Sequence, residues 1–185
     1  PQYFHRKYGG DARTPPQRGI DAVTVPGAVS AWVALSERFG KLPFADLMAP
    51  AVEIAERGYA VPVVVQGKWA AAVPDLQAQP GFAQSFLPWG RAPRVGELFR
   101  FPAAARALRA IGATRGAAFY TGEIAEALAR FSAQHGGSFT LADLAAHRVE
   151  WVAPIAREYR GFAVHEIPPS GQGIAALQIL NILEG

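Results

Sequence analysis

Glycine and proline residues divide most of the chain into segments whose apolar residues recur at helical spacing. One such segment runs from 28 to 39 and is closed by Gly40, which predicts an amphipathic helix with a glycine at its end. The same pattern recurs at 43–57, 102–111 and 121–134. This punctuation predicts several short helices, each with one apolar face to bury.

The period of the pattern changes near Val149. Residues 149–159 have an extended pattern, Gly161 follows, and 162–167 alternate between two faces, which predicts a strand, a turn and a strand. The last segment, 174–183, is apolar nearly all round and predicts a helix buried in a larger body. The predicted fold class is therefore α+β, mostly helical with a C-terminal strand pair.

Two regions lack helical periodicity. Residues 1–22 are rich in glycine and proline and predict an irregular arm, whereas 74–100 predict a long packed loop. Residues 23–185 are assigned to one folding unit, because a chain of 185 residues suits a single domain.

The composition excludes several classes of protein. Half of the residues are hydrophobic and 18% are charged, as in globular domains. Cysteine is absent, which excludes disulfides, thiolate zinc sites and a cysteine nucleophile. The net charge of +3 comes from interspersed charges rather than a basic run, so we predict no nucleic-acid partner. No apolar run reaches about eighteen residues, so we predict no membrane span.

No residue pattern by itself defines a catalytic centre. The four histidines lack the spacing of a metal pair, so we predict neither a metal nor a cofactor. No serine lies in a GxSxG motif, and Ser170 is interpreted as a helix cap. The segment GQGIAA at 171–176 has the form of a dinucleotide fingerprint, but Pro168 and Pro169 interrupt the strand before it. Its glycines are interpreted as a tight turn, with a nucleotide-binding fragment as an alternative.

Five segments of the chain, in order, resemble the γ-glutamyltransferase family over 18–185. Their order and spacing together carry the resemblance. The segments are TVPGAVSAW at 24–32, RFGKLPFADLMAPAVEIAERGYAV at 38–61, FYTGEIAEAL at 119–128, GGSFTLADLAAH at 136–147 and YRGFAVHEIPPSGQGIAALQILNILEG at 159–185.

This resemblance implies a fold and a chemistry. The family forms a four-layer αββα sandwich of the N-terminal-nucleophile hydrolase type, from a precursor that cleaves itself into a large and a small subunit. The N-terminal threonine of the small subunit attacks a γ-glutamyl amide, and the acyl group passes to water or to an amino acid. The chain resembles part of the large subunit, incomplete at both ends. We therefore expect the threonine downstream and the arginine that holds the substrate carboxylate upstream, assign no catalytic residue, and predict that the chain alone is inactive.

The resemblance also implies one candidate site within the chain. Ser170, Gly171, Gln172 and Gly173 follow two prolines, where better-known members of the family have two serines and two glycines. We predict that these four residues form a turn close to the substrate pocket. The difference from the better-known members leaves the acyl substrate open.

The expected partners follow from the same resemblance. They are a small γ-glutamyl substrate and the small-subunit half of the enzyme. Without that half, the apolar last helix predicts self-association through Leu177, Leu180 and Leu183. The compartment stays open between cytoplasm and periplasm, because a signal segment would precede residue 1. A non-catalytic interaction module is the alternative interpretation, because no catalytic set is found in the chain.

Overall fold

The described residues fall into two compact units. A computed structural model describes residues 2–9 and 16–184, and the units divide between Arg148 and Val149. In the second unit, the last strand pair and the last helix pack against each other. The assignment of residues 23–185 to one folding unit stays a prediction.

The first unit is mostly helical. Its helices are α1 Gln2–Tyr8, α2 Ala28–Phe39, α3 Phe44–Arg57, α4 Val63–Leu76, α5 Phe82–Phe86, α6 Pro102–Ala113, α7 Ala117–Tyr120, α8 Glu123–Gln134 and α9 Leu141–Ala146. A turn of 3-10 helix spans Ile20–Ala22, and the strands β1 (Tyr59–Ala60) and β2 (Leu98–Phe99) pair antiparallel. The four helices predicted from apolar spacing correspond to α2, α3, α6 and α8.

The core of the first unit forms where α2, α3 and α6 meet. Val29, Phe44 and Ile111 are buried together there, and burying each such side chain contributes roughly 1.5–3 kcal/mol. Partly buried residues surround this cluster, namely Val33, Met48, Phe119, Tyr120 and Ile124. The apolar faces that helical spacing predicted are thus the faces that meet.

Gly112 lies at a close contact between α3 and α6. The sequence predicted a helix over 102–111 with Gly112 just past its end, but Gly112 lies inside α6. A Cβ atom at this position would lie 3.3 Å from Ala45 Cα and 3.3 Å from Met48 Cγ. The glycine therefore permits close packing of the two helices.

The predicted irregular arm, residues 1–22, contains α1 and the 3-10 turn among its described residues. Asp21, whose side chain is 3% exposed, holds α1 in place. Its carboxylate accepts hydrogen bonds from the hydroxyl groups of Tyr3 (3.0 Å) and Tyr8 (2.5 Å), and pairs with Lys7 at 2.6 Å. These contacts come from outside the helix, which is why its own sequence did not indicate it. Residues 10–15 of the predicted arm lie outside the described residues.

The predicted long loop, 74–100, is more regular than expected. Pro74 lies inside α4, and α5 falls within the loop. The part before β2 is held by hydrogen bonds to Glu97. Arg91 donates to both carboxylate oxygens of Glu97 at 2.9 and 2.7 Å, and the main-chain N–H of Arg94 donates to the same carboxylate at 2.7 Å. These donors lower the pKa of Glu97 to about 2, so the Glu97 carboxylate stays charged at physiological pH.

The second unit is a hairpin followed by a helix. The strands β3 (Ile155–Tyr159) and β4 (Phe162–Glu166) pair antiparallel, and α10 spans Gly173–Glu184. Arg160 and Gly161 both have a positive φ, 50° and 82°, as a tight two-residue hairpin turn requires. The order of strand, turn, strand and helix is as predicted, and the chain is α+β. The first strand begins at Ile155 rather than at Val149.

Helix α10 buries only part of its apolar surface. Leu177 is buried, whereas Ile179, Ile182 and Leu183 are 57%, 76% and 64% exposed. The sequence predicted a helix buried on every side. Within this chain the hairpin covers one side only, and because Leu177 is already buried it is not available for the predicted self-association.

Candidate substrate-binding turn

The predicted site residues form one exposed turn in the second unit. Ser170, Gly171 and Gln172 are exposed and Gly173 is half-buried. Together they connect β4, through residues 167–169, to the first turn of α10. We refer to these four residues as the 170–173 turn.

Gly173 is the more tightly packed of the two glycines in the 170–173 turn. A Cβ atom there would lie 2.7 Å from Glu166 Cβ and 2.8 Å from the carbonyl oxygen of Ile167. At Gly171, by contrast, a Cβ atom would meet nothing within 4 Å. The start of α10 is therefore pressed against the end of β4, while the preceding residues stand open.

Two main-chain N–H groups in the first turn of α10 are free to donate hydrogen bonds. The carbonyl oxygen of Gln172 accepts hydrogen bonds from the N–H groups of Ala175 (3.0 Å) and Ala176 (3.2 Å). Within the described part of the chain, the N–H groups of Gly173 and Ile174 make no hydrogen bond. Such free N–H groups at the start of a helix attract carboxylate or developing oxyanion oxygens.

Ser170 does not take the capping role predicted for it. Its hydroxyl group makes no hydrogen bond to any other described residue, and Gln172 is the residue that directly precedes α10. The hydroxyl of Ser170 and the side-chain amide of Gln172 therefore add two further polar groups beside the free N–H groups. The Glu166 carboxylate lies beside this turn, with one oxygen 2.9 Å from where a Cβ atom of residue 173 would stand. The arrangement therefore offers both donors and an acceptor to a small polar group.

The nucleotide-binding alternative lacks its structural context. A dinucleotide fingerprint lies between parallel strands of a βαβ unit. Across residues 2–9 and 16–184, both sheets are antiparallel pairs, and GQGIAA at 171–176 follows one of them. The glycines serve the turn into α10 instead.

Ser30 and His147 form a pair that sequence reasoning missed. They are 117 positions apart, and His147 Nε2 lies 2.8 Å from Ser30 Oγ. Ser30 Oγ donates to the carbonyl oxygen of Gly27 at 2.7 Å, so its proton is committed and the Nε2–H of His147 is left as the donor to the same oxygen. His147 also stacks on Tyr120, with ring centroids 5.2 Å apart. The pair therefore ties the start of α2 to the residue after α9, and it does not activate a nucleophile.

Three of the five threonines make hydrogen bonds that stabilise helix ends. Thr114 and Thr121 donate to carbonyl oxygens one helical turn back, at 2.7 and 3.1 Å. Thr140 caps α9 in a reciprocal capping box, as the pairing of threonine and aspartate three positions apart favours. The other two are Thr24, which is exposed, and Thr14, which lies outside the described residues.

Metal and membrane features are not found in the described ranges. Among residues 2–9 and 16–184, no three His, Cys, Asp or Glu side chains lie close enough to hold a metal ion together. Of the helices in these ranges, none combines the length and the apolar character needed to cross a membrane.

Comparison with known proteins identifies the family of this chain. The model of the gamma-glutamyltranspeptidase family matches residues 1–185. The chain is 38% identical over 170 residues to the glutathione hydrolase-like YwrD proenzyme of Bacillus subtilis (strain 168), covering 91% of this chain and 32% of that protein. It is 38% identical over 168 residues to the acylase ACY 1 proenzyme of Pseudomonas sp. (strain SE83), covering 90% of this chain and 30% of that protein.

A solved structure agrees with the sequence comparisons. The crystal structure of cephalosporin acylase from Bacillus halodurans superposes with a TM-score of 0.92 at 42% identity, covering 99% of this chain and 35% of that one. The chain therefore belongs to the gamma-glutamyltranspeptidase family, whose members include glutathione hydrolases and acylases. It spans about a third of the length of the curated relatives it matches.

Proposed function

We propose that the complete protein is an amide-cleaving acyltransferase that acts on γ-glutamyl amides such as glutathione, and that this chain is part of its large subunit. The family match over residues 1–185 carries the proposal. The similarity to a glutathione hydrolase-like proenzyme supports the substrate class. In this reaction a threonine hydroxyl adds to the γ-glutamyl carbonyl, the amine leaves with a proton, and the acyl ester is then cleaved by water or by the amine of an amino acid.

The nucleophile of this reaction is proposed to lie outside the chain. A threonine of this type uses its own free α-amine as the base, and an amine already joined in a peptide bond cannot serve. Thr114, Thr121 and Thr140 are internal and are engaged in helix-end hydrogen bonds. The role left for this chain is therefore to shape the substrate pocket and to support the rest of the enzyme.

The 170–173 turn is proposed to border that pocket. Its free N–H groups and the side chains of Ser170 and Gln172 offer polar contacts to a substrate that carries an α-carboxylate and amide groups. Because better-known members of the family have a second serine and a glycine where this chain has Gly171 and Gln172, the turn is also a position at which acyl preference can differ. The similarity to an acylase supports testing non-glutamyl acyl amides beside the γ-glutamyl ones.

The first experiment separates the chain from the complete enzyme. Release of the aniline from a γ-glutamyl anilide is measured with the purified 185-residue chain, with the complete protein, and with the chain co-expressed with the downstream half. We expect activity only in the last two samples. If the purified chain alone releases aniline faster than the uncatalysed reaction, and this activity co-purifies with it, the proposal that the nucleophile lies outside the chain is wrong.

The second experiment tests the turn itself. In the complete enzyme, Gln172→Ala is compared with Gln178→Ala, which removes another exposed glutamine of the same unit. Loss of a hydrogen bond to a polar substrate costs about 0.5–1.5 kcal/mol, so we expect kcat/KM to fall roughly two- to tenfold for Gln172→Ala only. Unchanged maturation and unchanged turnover in both variants would leave the turn a purely structural feature.

A non-catalytic interaction module is the second candidate, favoured by the exposed face of α10. Ile179, Ile182 and Leu183 form an apolar surface on this helix, and such a surface favours association. The anilide assay distinguishes the two candidates, because an interaction module predicts a complete protein that neither cleaves itself nor releases aniline.

A further inference from the structure

An aromatic cavity lies in the first unit. Its volume is about 720 Å³, and α3, α4, α5, α6 and both strands of the β1–β2 pair contribute to its lining. Six aromatic residues line it together, namely Tyr59, Trp69, Phe82, Phe86, Phe99 and Phe101. Residues separated by more than forty positions thus converge on one cavity, within the size range of small-molecule sites, roughly 300–1,000 Å³.

The walls of the aromatic cavity are held by contacts among the rings themselves. Trp69 and Phe99 meet edge to face at 4.7 Å between ring centroids, and Phe86 and Phe101 meet at 5.3 Å. Such arrangements fix ring orientation. Alanines at 51, 55, 72 and 104 also line the cavity, together with Ile54 and Val65. The small side chains of the alanines leave space that a flat ring can enter.

Three residues that line the cavity carry hydrogen-bond donors. Lys68 has an ammonium group, Tyr59 a hydroxyl group and Trp69 an indole N–H. Within the described part of the chain, none of these three side chains makes a hydrogen bond or an ion pair. No aspartate or glutamate lines the cavity. A ligand with an apolar body and a negatively charged end therefore complements this lining.

We propose that the aromatic cavity binds a small aromatic carboxylate. The aryl ring lies between the rings of Trp69 and its neighbours, and the carboxylate pairs with Lys68. Edge-to-face contacts favour an aryl body over an aliphatic one of equal size. The single positive charge discriminates the acid from its uncharged amide, which has nearly the same shape.

The test uses the 185-residue chain and two probes, 4-phenylbutyrate and 4-phenylbutyramide, in calorimetric titrations. We expect the acid to bind on the order of fivefold more tightly than the amide, since an exposed ion pair contributes up to about 1 kcal/mol. Lys68→Gln should abolish this preference and leave amide binding unchanged. Lys41→Gln, at another exposed lysine, is the matched control and should preserve the preference.

Filling the cavity provides an independent check. Ala72→Trp should weaken both probes at least tenfold, while circular dichroism and thermal unfolding confirm that the variant is folded; Ala104→Phe serves if it is not. Equal binding of acid and amide to the unaltered chain, or unchanged binding to a folded Ala72→Trp variant, would overturn the proposal. The complete protein must bind the acid as well. Binding confined to the isolated chain would mean that the rest of the protein covers the cavity, and would also overturn it.

Discussion

Replacing Gly173 with alanine is expected to loosen the 170–173 turn, whereas the same replacement at Gly171 is not. Neither glycine has a positive φ, so the contrast depends on space alone. The new methyl group at 173 would lie 2.7 Å from Glu166 Cβ and 2.8 Å from the Ile167 carbonyl oxygen, and both atoms belong to or adjoin the main chain of the hairpin. At 171 the methyl group meets no atom within 4 Å.

The magnitude follows from two opposing effects. Overpacking of this kind costs about 1–3 kcal/mol. Alanine restricts the unfolded chain relative to glycine and returns about 0.4–1 kcal/mol at either position. Gly173→Ala should therefore lower the local stability by roughly 0.5–2 kcal/mol, and Gly171→Ala should raise it slightly. The two variants should differ by about 1–3 kcal/mol.

Native-state hydrogen exchange measures this difference where it arises. The amides of Ala175 and Ala176 donate to the carbonyl oxygen of Gln172, so their protection reports the closed turn. At about 1.4 kcal/mol per factor of ten, Gly173→Ala should exchange roughly five- to a hundredfold faster at these amides than Gly171→Ala. Equal protection in the two variants would refute the steric argument, and with it the claim that the hairpin and α10 are closely packed at this point.

Two further predictions concern the first unit. Leu144→Ala should cost about 2–5 kcal/mol in urea unfolding, because Leu144 is 0% exposed. Leu141→Ala on the same helix should cost less than about 1 kcal/mol, because Leu141 is 47% exposed; equal costs would contradict this account of α9. Burial raises the pKa of Asp21, but hydrogen bonds from Lys7 and two tyrosines outweigh it and hold the pKa below the ordinary value of 3.8. The folded state therefore favours the carboxylate, whose stabilising contribution is present above pH 3.8 and is lost as the pH falls further. Resonances of α1 followed by NMR should report loosening in this range, and an Asp21→Asn variant with the same pH profile as the unaltered chain would contradict it.

Short-range patterns in the sequence determined most of the helices and the hairpin. The apolar stripes of α2, α3, α6 and α8 lie within single segments, so their helical period is visible without any knowledge of the fold. The same holds for the Thr140 cap, whose partner Asp143 is three positions away, and for the hairpin turn at Gly161. The family resemblance likewise depended on ordered local motifs, and the family match over the whole chain confirmed it.

The features that the sequence did not indicate all depend on residues far apart in the chain. Gly112 looked like a helix end, because nothing near it shows that Ala45 packs against it. The sequence places Asp21 in an irregular arm, and only the fold brings α1 onto its carboxylate.

The aromatic cavity and the Ser30–His147 pair have the same origin. Their members are ordinary aromatic, serine and histidine residues when considered one by one. These residues form a cavity and a pair only because the fold brings them together. Side-chain contacts between distant segments are set by the packing of whole helices and leave no periodic pattern in the sequence. The sequence by itself thus determined the helices, the hairpin and the family motifs, whose interactions are local. Only the tertiary structure decided which distant side chains meet and which apolar surfaces, such as the outer face of α10, stay open.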